Sequence, residues 1–246
     1  YGDFKARISG YYTRIYDQSK VISYYDDVAA TFTNFAMSGI DKVHFGLEAA
    51  VSIPIYHTLA LNGAVSWGQY TYDSNPYYLQ TQDNSGDIVS DGYVYWKDFR
   101  VESTPQTAVN VGLSWRSNNN IYLSADFNYY NNMYLSMSPI YRTDAVITGG
   151  MAPGDIEHLR RQEKFDSAYT LNASIGKNWY IHRKYTLGFS LDVKNILNNQ
   201  DIKTGGYEQT RLSKNTETTV TTYQAFDSKY FYMFGTTYYL NLYFRF

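Results

Sequence analysis

The stretch DKVHFGLEAAVSIPI, residues 41–55, alternates between apolar side chains and side chains that are small, polar or charged. One side of the stretch is apolar at every position, with Val43, Phe45, Leu47, Ala49, Val51, Ile53 and Ile55. The other side carries His44, Glu48 and Ser52 between small residues. Because successive side chains of a strand point to opposite faces, this pattern predicts a β-strand with one apolar face and one wet face.

The same alternation occurs in seven further segments, which begin near Asp3, Leu59, Pro105, Ile121, Ser167, Tyr185 and Tyr230. Each segment can supply the roughly 9–11 residues that a tilted strand needs to cross a bilayer. No window approaches the ~20 consecutive apolar residues of a membrane-spanning helix. Helical periodicity is faint and confined to residues 155–165, where we expect a short helix within a loop. The sequence therefore predicts an all-β protein with about eight long strands.

The predicted connections fall into two classes that alternate along the chain. Short ones lie at residues 56–58, 117–120 and 182–184, as tight hairpins require. Long ones cover residues 17–39, 73–103, 131–166 and 198–229. This alternation predicts an antiparallel up-and-down meander with short turns at one rim and long loops at the other, which is the pattern of transmembrane outer-membrane β-barrels.

Composition excludes several other classes of protein. The 246 residues include 28 Tyr, 13 Phe and 4 Trp, yet the mean hydropathy is −0.44. The net charge is −2 and no run of Lys and Arg exceeds two residues, so a nucleic-acid partner is not expected. The absence of cysteine excludes disulfides, thiol catalysis and thiolate metal sites. Residues 1–12 lack the features of a signal peptide, so we expect either a removed leader or a start within a longer protein.

The stretch TTYYLNLYFRF, residues 236–246, repeats the two-sided pattern. If the side with Leu242, Phe244 and Phe246 meets lipid, Arg245 points into a wet lumen, where its charge is tolerated. The aromatic end then lies in the interfacial girdle of a barrel. Phe244 and Phe246 also resemble the signal that outer-membrane proteins present to the barrel-assembly machinery.

Three stretches of the sequence resemble parts of one protein family. SLDVKNILNNQ, residues 190–200, is similar to the penultimate-strand motif of TonB-dependent outer-membrane receptors, with Asn195, Ile196, Leu197 and Asn198 at its core. Residues 103–143 resemble a hairpin of the Bacteroidota-type receptors of this family, with Thr104, Pro105 and Gln106 opening one strand and Asn128, Tyr129, Tyr134, Pro139, Arg142 and Thr143 closing the next. Residues 24–48 resemble the loop and strand that precede this hairpin.

The resemblance implies a barrel of about 22 strands with an N-terminal plug. Such receptors import a scarce nutrient, of the glycan, peptide, siderophore or vitamin class, with energy relayed by TonB. Residues 1–246 contain no plug and no TonB box, so we expect a single β-barrel segment from the C-terminal third of such a receptor in the bacterial outer membrane. The implied partners are outer-membrane lipid, the TonB complex through the missing plug and the barrel-assembly machinery. Similarity to starch-utilisation-type (SusC-like) receptors also allows a surface lipoprotein over the loops.

A second interpretation stays open. An eight-stranded open sheet would leave two edges of unpaired backbone groups in hydrocarbon, each group costing several kcal/mol. Either the first and last strands pair, which gives a complete small barrel with a structural or adhesive role, or both edges pair with strands from other sequence. The family motifs favour the second arrangement.

No catalytic constellation is evident, because the four histidines are scattered and no nucleophile has a neighbouring base. We therefore expect no enzymatic activity, no cofactor and no metal. The long loops instead combine aromatic rings with amide and guanidinium donors, which suits ligand capture. The residues predicted to contact ligand are Tyr77, Tyr78, Tyr95, Trp96, Tyr134 and Arg142.

Overall fold

The computed structural model describes residues 4–27, 29–102, 104–149, 152–182, 184–215 and 222–246. Asp3, Ser103 and Arg183, which belong to predicted segments, lie outside the described residues. The all-β prediction is confirmed, since antiparallel sheets dominate the chain. Within the described ranges, no helix is long and apolar enough to cross a membrane.

Fourteen strands are present in the described part of the chain, rather than the eight predicted. They are β1 (Lys5–Asp26), β2 (Thr31–Tyr56), β3 (Leu59–Tyr72), β4 (Tyr77–Gln82), β5 (Ile88–Tyr93), β6 (Thr107–Arg116), β7 (Ile121–Asn131), β8 (Ala168–Ile181), β9 (Tyr185–Lys194), β10 (Lys203–Tyr207), β11 (Leu212–Asn215), β12 (Thr222–Ala225), β13 (Lys229–Tyr232) and β14 (Thr237–Arg245). Helical structure is limited to a 3-10 turn (Ile140–Arg142), α1 (Asp144–Ile147) and α2 (Pro153–Arg160), the last of which overlaps the predicted short helix.

Eight long strands form an antiparallel meander in the order β1-β2-β3-β6-β7-β8-β9-β14. The β4–β5 hairpin joins the same sheet by pairing with the part of β2 that extends beyond β3. Strands β1 and β14 each pair with one neighbour and not with each other, so the sheet is not a closed barrel within the described residues. The remaining strands form two small two-stranded sheets, β10–β13 and β11–β12.

The register of the meander separates two faces. Glu48 lies opposite Ser66, and Asn110 opposite Asn128, on the face that we name the inner face. Leu47 and Val65 belong to the opposite, outer face, which is apolar and largely exposed. Short turns lie at the lower rim of the meander, and the long connections lie at its upper rim.

The prediction of a long loop at residues 17–39 is wrong, because β1 and β2 continue as a paired hairpin up to Asp26 and Thr31. Two bulges explain the error. Asp17 on β1 and Gly39 on β2 both have positive φ (53° and 72°), and each strand gains one extra residue there, with the Gln18–Ile40 pair between the two register shifts. Each bulge shifts the apolar alternation by one residue, so the sequence pattern is interrupted where the strands are not.

The last strand also differs from its prediction. It begins at Thr237 rather than near Tyr230, because residues 229–232 form β13 and pair with β10. The break between the two strands is fixed by Asn198, whose side-chain oxygen accepts a hydrogen bond from the Thr236 backbone N–H at 3.0 Å.

The buried core lies at the upper rim and not between layers of the meander. It includes Phe35, Met37, Tyr78, Trp96, Tyr141 and Leu159. The core side chains come from the upper ends of β1, β2 and β3 and from the described residues of three long connections, within 73–106, 132–167 and 195–236. We name this packed unit the cap. The long loops therefore carry their own hydrophobic core above the sheet.

Candidate functional site

A buried ion pair fastens two of the long connections together inside the cap. The Arg142 guanidinium is 0% exposed and donates to both carboxylate oxygens of Glu208, with N···O distances of 2.5 and 2.8 Å. The same guanidinium donates to the Ser138 carbonyl at 2.9 Å, and Glu208 also accepts from the Ser138 N–H at 2.8 Å. Two-pronged pairing of this kind fixes orientation as well as distance.

Two further ion pairs, both more exposed than the first, also join these connections to other parts of the cap. Lys203 donates to Glu163 at 2.9 Å, and the Tyr230 hydroxyl donates to the other oxygen of Glu163 at 2.7 Å, which raises the pKa of Tyr230. Arg211 donates twice to Asp27, both times at 2.9 Å, and these hydrogen bonds lower the pKa of the Asp27 carboxyl.

The Asn195–Asn198 motif organises the exit from β9. The buried Asn195 side chain donates to the carbonyls of Asn199 and Phe234, at 2.9 and 3.0 Å, and accepts from the Asn199 N–H. Its own backbone N–H donates to Asn172 of β8 at 3.0 Å. The motif therefore joins the cap to the sheet through satisfied backbone groups, which is a structural role.

A cavity of about 520 Å³ opens between two segments of the cap, residues 158–164 and residues 225–230. We name it the cap pocket. Leu135, Tyr141 and Glu208 also line it. Burial, with a contribution from the Glu208 charge, raises the pKa of Tyr141 to about 12, so this hydroxyl is a hydrogen-bond donor near neutral pH. The volume lies in the range of ordinary small-molecule sites.

Three of the residues predicted to contact ligand are buried in the cap core. Tyr78 is 1% exposed and stacks on Phe35 with ring centroids 4.6 Å apart. Trp96 is 1% exposed and packs on Tyr72 at 4.7 Å. Arg142 forms the ion pair with Glu208. In this conformation the three side chains hold the cap together, and their predicted contact with ligand stays a prediction.

The other three predicted residues are more accessible. The half-exposed Tyr77 donates to Asp91 at 2.6 Å, and Tyr95 donates to Asp144 at 2.5 Å. Tyr134 is half-buried and pairs through its backbone with Lys164 beside the cap pocket. The structure brings Tyr95 next to Arg142 by a backbone hydrogen bond of 2.8 Å. In the described ranges, no hydrogen bond or ring contact joins Tyr134 to the other five.

Sequence reasoning did not identify the residues that build the cap pocket and its ties. Glu208 meets Arg142 across 66 residues, and Glu163 meets Tyr230 across 67. No local pattern marks such partners, since long loops carry no periodicity that fixes where their charges lie. The one available signal was the position of Arg142 within a motif that resembles a receptor hairpin.

Hydroxyl and amide groups cover the inner face of the meander in lateral hydrogen-bonded rows. Ser52 donates to Asn62 at 2.8 Å, and Asn62 donates to Ser114 at 3.2 Å. Higher on the sheet, Asn110 donates to Asn128 at 2.8 Å. The inner face therefore offers a wettable surface directly below the cap.

Phe244 and Phe246, the predicted assembly signal, lie at the lower rim. Phe244 is exposed on the outer face, where its ring stacks on Tyr185 at 5.8 Å, and Phe246 is 93% exposed. Both rings are accessible to a partner, and their role in assembly stays a prediction. Across the described ranges, no group of three or more His, Asp or Glu side chains could hold a metal ion.

Comparisons of the chain with models of protein families, with curated proteins and with solved structures found no match. Function is therefore proposed below from the geometry of the residues and from the resemblance of residues 24–48, 103–143 and 190–200.

Proposed function

We propose that this chain forms part of the wall of a β-barrel in the bacterial outer membrane, with the cap on the extracellular side. The observation that carries the proposal is the outer face, which is apolar and exposed across all eight strands of the meander. Its exposed members include Ile8, Leu47, Ile55, Val65, Val111, Leu113, Leu123, Phe127, Ile175, Leu187, Leu240 and Leu242. A continuous apolar surface of this kind is unfavourable in water and suited to lipid.

The height of the outer face supports the same proposal. Exposed aromatic rings mark both ends of the apolar part of β8, Tyr169 near the upper rim and Trp179 near the lower rim. Ten residues along the strand, at about 3.3 Å each and a tilt of about 40°, correspond to a height of about 25 Å. Outer-membrane barrels have apolar bands of about 25 Å between two aromatic girdles.

Charge placement is consistent with lipid on one side and water on the other. Glu48, Asp126 and Asp192 all belong to the inner face. Arg14 and Lys177 are cations of the outer face. Arg14, beside the upper end of β3, is paired with Asp73 at 2.6 Å, and Lys177 lies near the lower rim, where its ammonium is 5.2 Å from the centroid of the Trp179 ring. A lysine at that height can extend its charged end to the interface while its methylene groups stay in the apolar layer.

The two edges of the meander indicate that further strands complete the wall. Free backbone groups along β1 and β14 would each cost several kcal/mol in hydrocarbon. A complete small barrel would need β1 to pair with β14, and the described residues show no such pairing. With the motif resemblance, this supports a segment of a larger TonB-dependent importer. The cap would then capture the nutrient, and the inner face would form part of its passage.

Surface labelling tests the proposed topology. Because residues 1–246 contain no cysteine, each introduced cysteine is the one labelling site in this part of the protein, and the unsubstituted full-length protein measures the background. Ser85→Cys, at the tip of the β4–β5 hairpin, should react with a membrane-impermeant maleimide on intact cells. Asn119→Cys, in the β6–β7 turn, should react only after the outer membrane is permeabilised. Equal labelling of both sites on intact cells would contradict the topology.

Cross-linking tests the import role separately. We expect the full-length protein to cross-link to TonB in outer membranes of growing cells. A protein that passes the labelling test but yields no TonB cross-link would instead support the structural or adhesive interpretation.

A further inference from the structure

The charges around the cap pocket are not balanced. Two of the acidic groups that line it already have partners, since Glu208 is held by Arg142, and Glu163 by Lys203 and the Tyr230 hydroxyl. Both acids are thus neutralised by the structure of the cap itself. They contribute little negative potential to the open part of the pocket.

Two cationic groups on the 158–164 side of the pocket have no such partners among the described residues. Arg161 and Lys164 both line the pocket and are exposed. In the described part of the chain, neither side chain makes an ion pair or a hydrogen bond. Asp227 is the remaining acid at the pocket, and its backbone carbonyl, not its carboxylate, accepts from Gln209 at 2.7 Å. The pocket therefore presents a guanidinium and an ammonium against a single free carboxylate.

The rest of the pocket wall is apolar or aromatic. Leu135 and Leu159 are buried, and Phe226 and Tyr230 are half-buried beside them. The guanidinium of Arg211 lies 4.5 Å from the centroid of the Phe226 ring, which steadies that ring. A ligand could place an apolar or planar body against this wall while a charged end reaches the free cations.

We propose that the cap pocket binds a small solute that carries a carboxylate or phosphate group on an apolar or aromatic body. Arg161 and Lys164 contact the anionic group, and the wall with Phe226 contacts the body. Both oxyanions suit these donors, because a guanidinium presents two parallel N–H groups and an ammonium acts as a compact point charge. The proposal rests on the proposed function in that it names the class of solute that the extracellular cap captures.

Binding to the full-length protein in detergent tests this inference by calorimetry. Phenyl phosphate and benzoate are the probes, and phenol is the control that keeps the ring without the charge. We expect both anions to bind and phenol to bind at least tenfold more weakly. Arg161→Gln and Lys164→Gln should each weaken anion binding about tenfold, since each removes one charge-assisted contact. Binding of phenol as tightly as the anions would overturn the proposal.

A matched control lies one residue away. Arg160 is also exposed, but its guanidinium lies over the Tyr95 ring at 5.8 Å and not in the cap pocket. Arg160→Gln should leave anion affinity unchanged, whereas Asp227→Asn should increase it by removing a like charge. Equal effects of the substitutions at 160 and 161, or weaker binding with Asp227→Asn, would contradict the site. The binding assay does not involve topology or TonB, so its failure is distinguishable from failure of the proposed function.

Discussion

Removal of the Glu208 carboxylate tests whether the cap depends on its buried ion pair. Glu208→Ala leaves the Arg142 guanidinium, 0% exposed, without its charge partner and leaves the Ser138 N–H without its acceptor. Breaking a buried pair from one side costs about 3–5 kcal/mol, because the remaining charge is uncompensated. Since each 1.4 kcal/mol changes an equilibrium constant tenfold, the cap should open locally at least a hundred-fold more often.

Hydrogen–deuterium exchange of the full-length protein in detergent measures this opening. Peptides that cover residues 138–146 and 205–212 should exchange faster in Glu208→Ala, while peptides from β7 and β8 should not change. Glu163→Ala is the matched control, because it makes the same change at an exposed pair with Lys203. An exposed pair contributes about 0–1 kcal/mol, so its loss should accelerate exchange less than tenfold.

A double substitution separates the loss of a contact from the burial of an unpaired charge. Replacing Arg142 with Met and Glu208 with Leu removes both charges together, and such replacements are often neutral or stabilising. We expect exchange in the cap to return close to the original rate. If Glu208→Ala accelerates exchange no more than Glu163→Ala, the ion pair does not hold the cap and the reasoning is refuted.

Three further predictions concern the core, the acid response and the outer face. Trp96→Ala should cost the cap about 3–5 kcal/mol, because it empties a fully buried site, and cap exchange should rise accordingly. Hydrogen bonds from Arg211 lower the pKa of the Asp27 carboxyl in the folded protein. The stability that this pair contributes is therefore fully present above the ordinary aspartate pKa of about 3.9, and it is lost as the pH falls through the lowered pKa of the folded state. Asp27→Asn should remove this part of the pH dependence of cap unfolding, which fluorescence can follow. Ile175→Arg, on the outer face near mid-height, should cost about 2–4 kcal/mol and reduce the folded protein recovered from outer membranes, whereas Ser174→Arg on the inner face should not.

The faces of the sheet could be predicted from the sequence because they depend on a local pattern. Along residues 41–55, the polarity of each side chain indicates the face of the sheet to which it belongs. The structure has Leu47 on the outer face and Glu48 on the inner face, as expected. The same rule failed at Asp17 and Gly39, where two successive bulges shifted the pattern on both strands without ending either. An alternating sequence pattern cannot show that each of two paired strands has gained one residue and continues beyond it.

The cap could not be predicted in the same way. From the sequence, Tyr78 and Trp96 are expected to be accessible loop aromatics, but the loops are long enough to bury both side chains in a separate core. Arg142 is predicted from the sequence to contact ligand, and the structure pairs it with a carboxylate 66 residues away on another loop. Composition identified loops rich in rings and charges, but only the tertiary contacts decide which of those groups are used internally and which remain free.

In the arrangement that we propose, the meander has lipid on its outer face and water on its inner face. This arrangement is tested most directly by single spin labels placed along β8 in the full-length protein, reconstituted in lipid vesicles. Collision with oxygen, which concentrates in lipid, should peak at Leu171, Ala173 and Ile175 and fall at Thr170, Asn172 and Ser174. Equal oxygen access at both sets, or higher access at the second, would contradict the account.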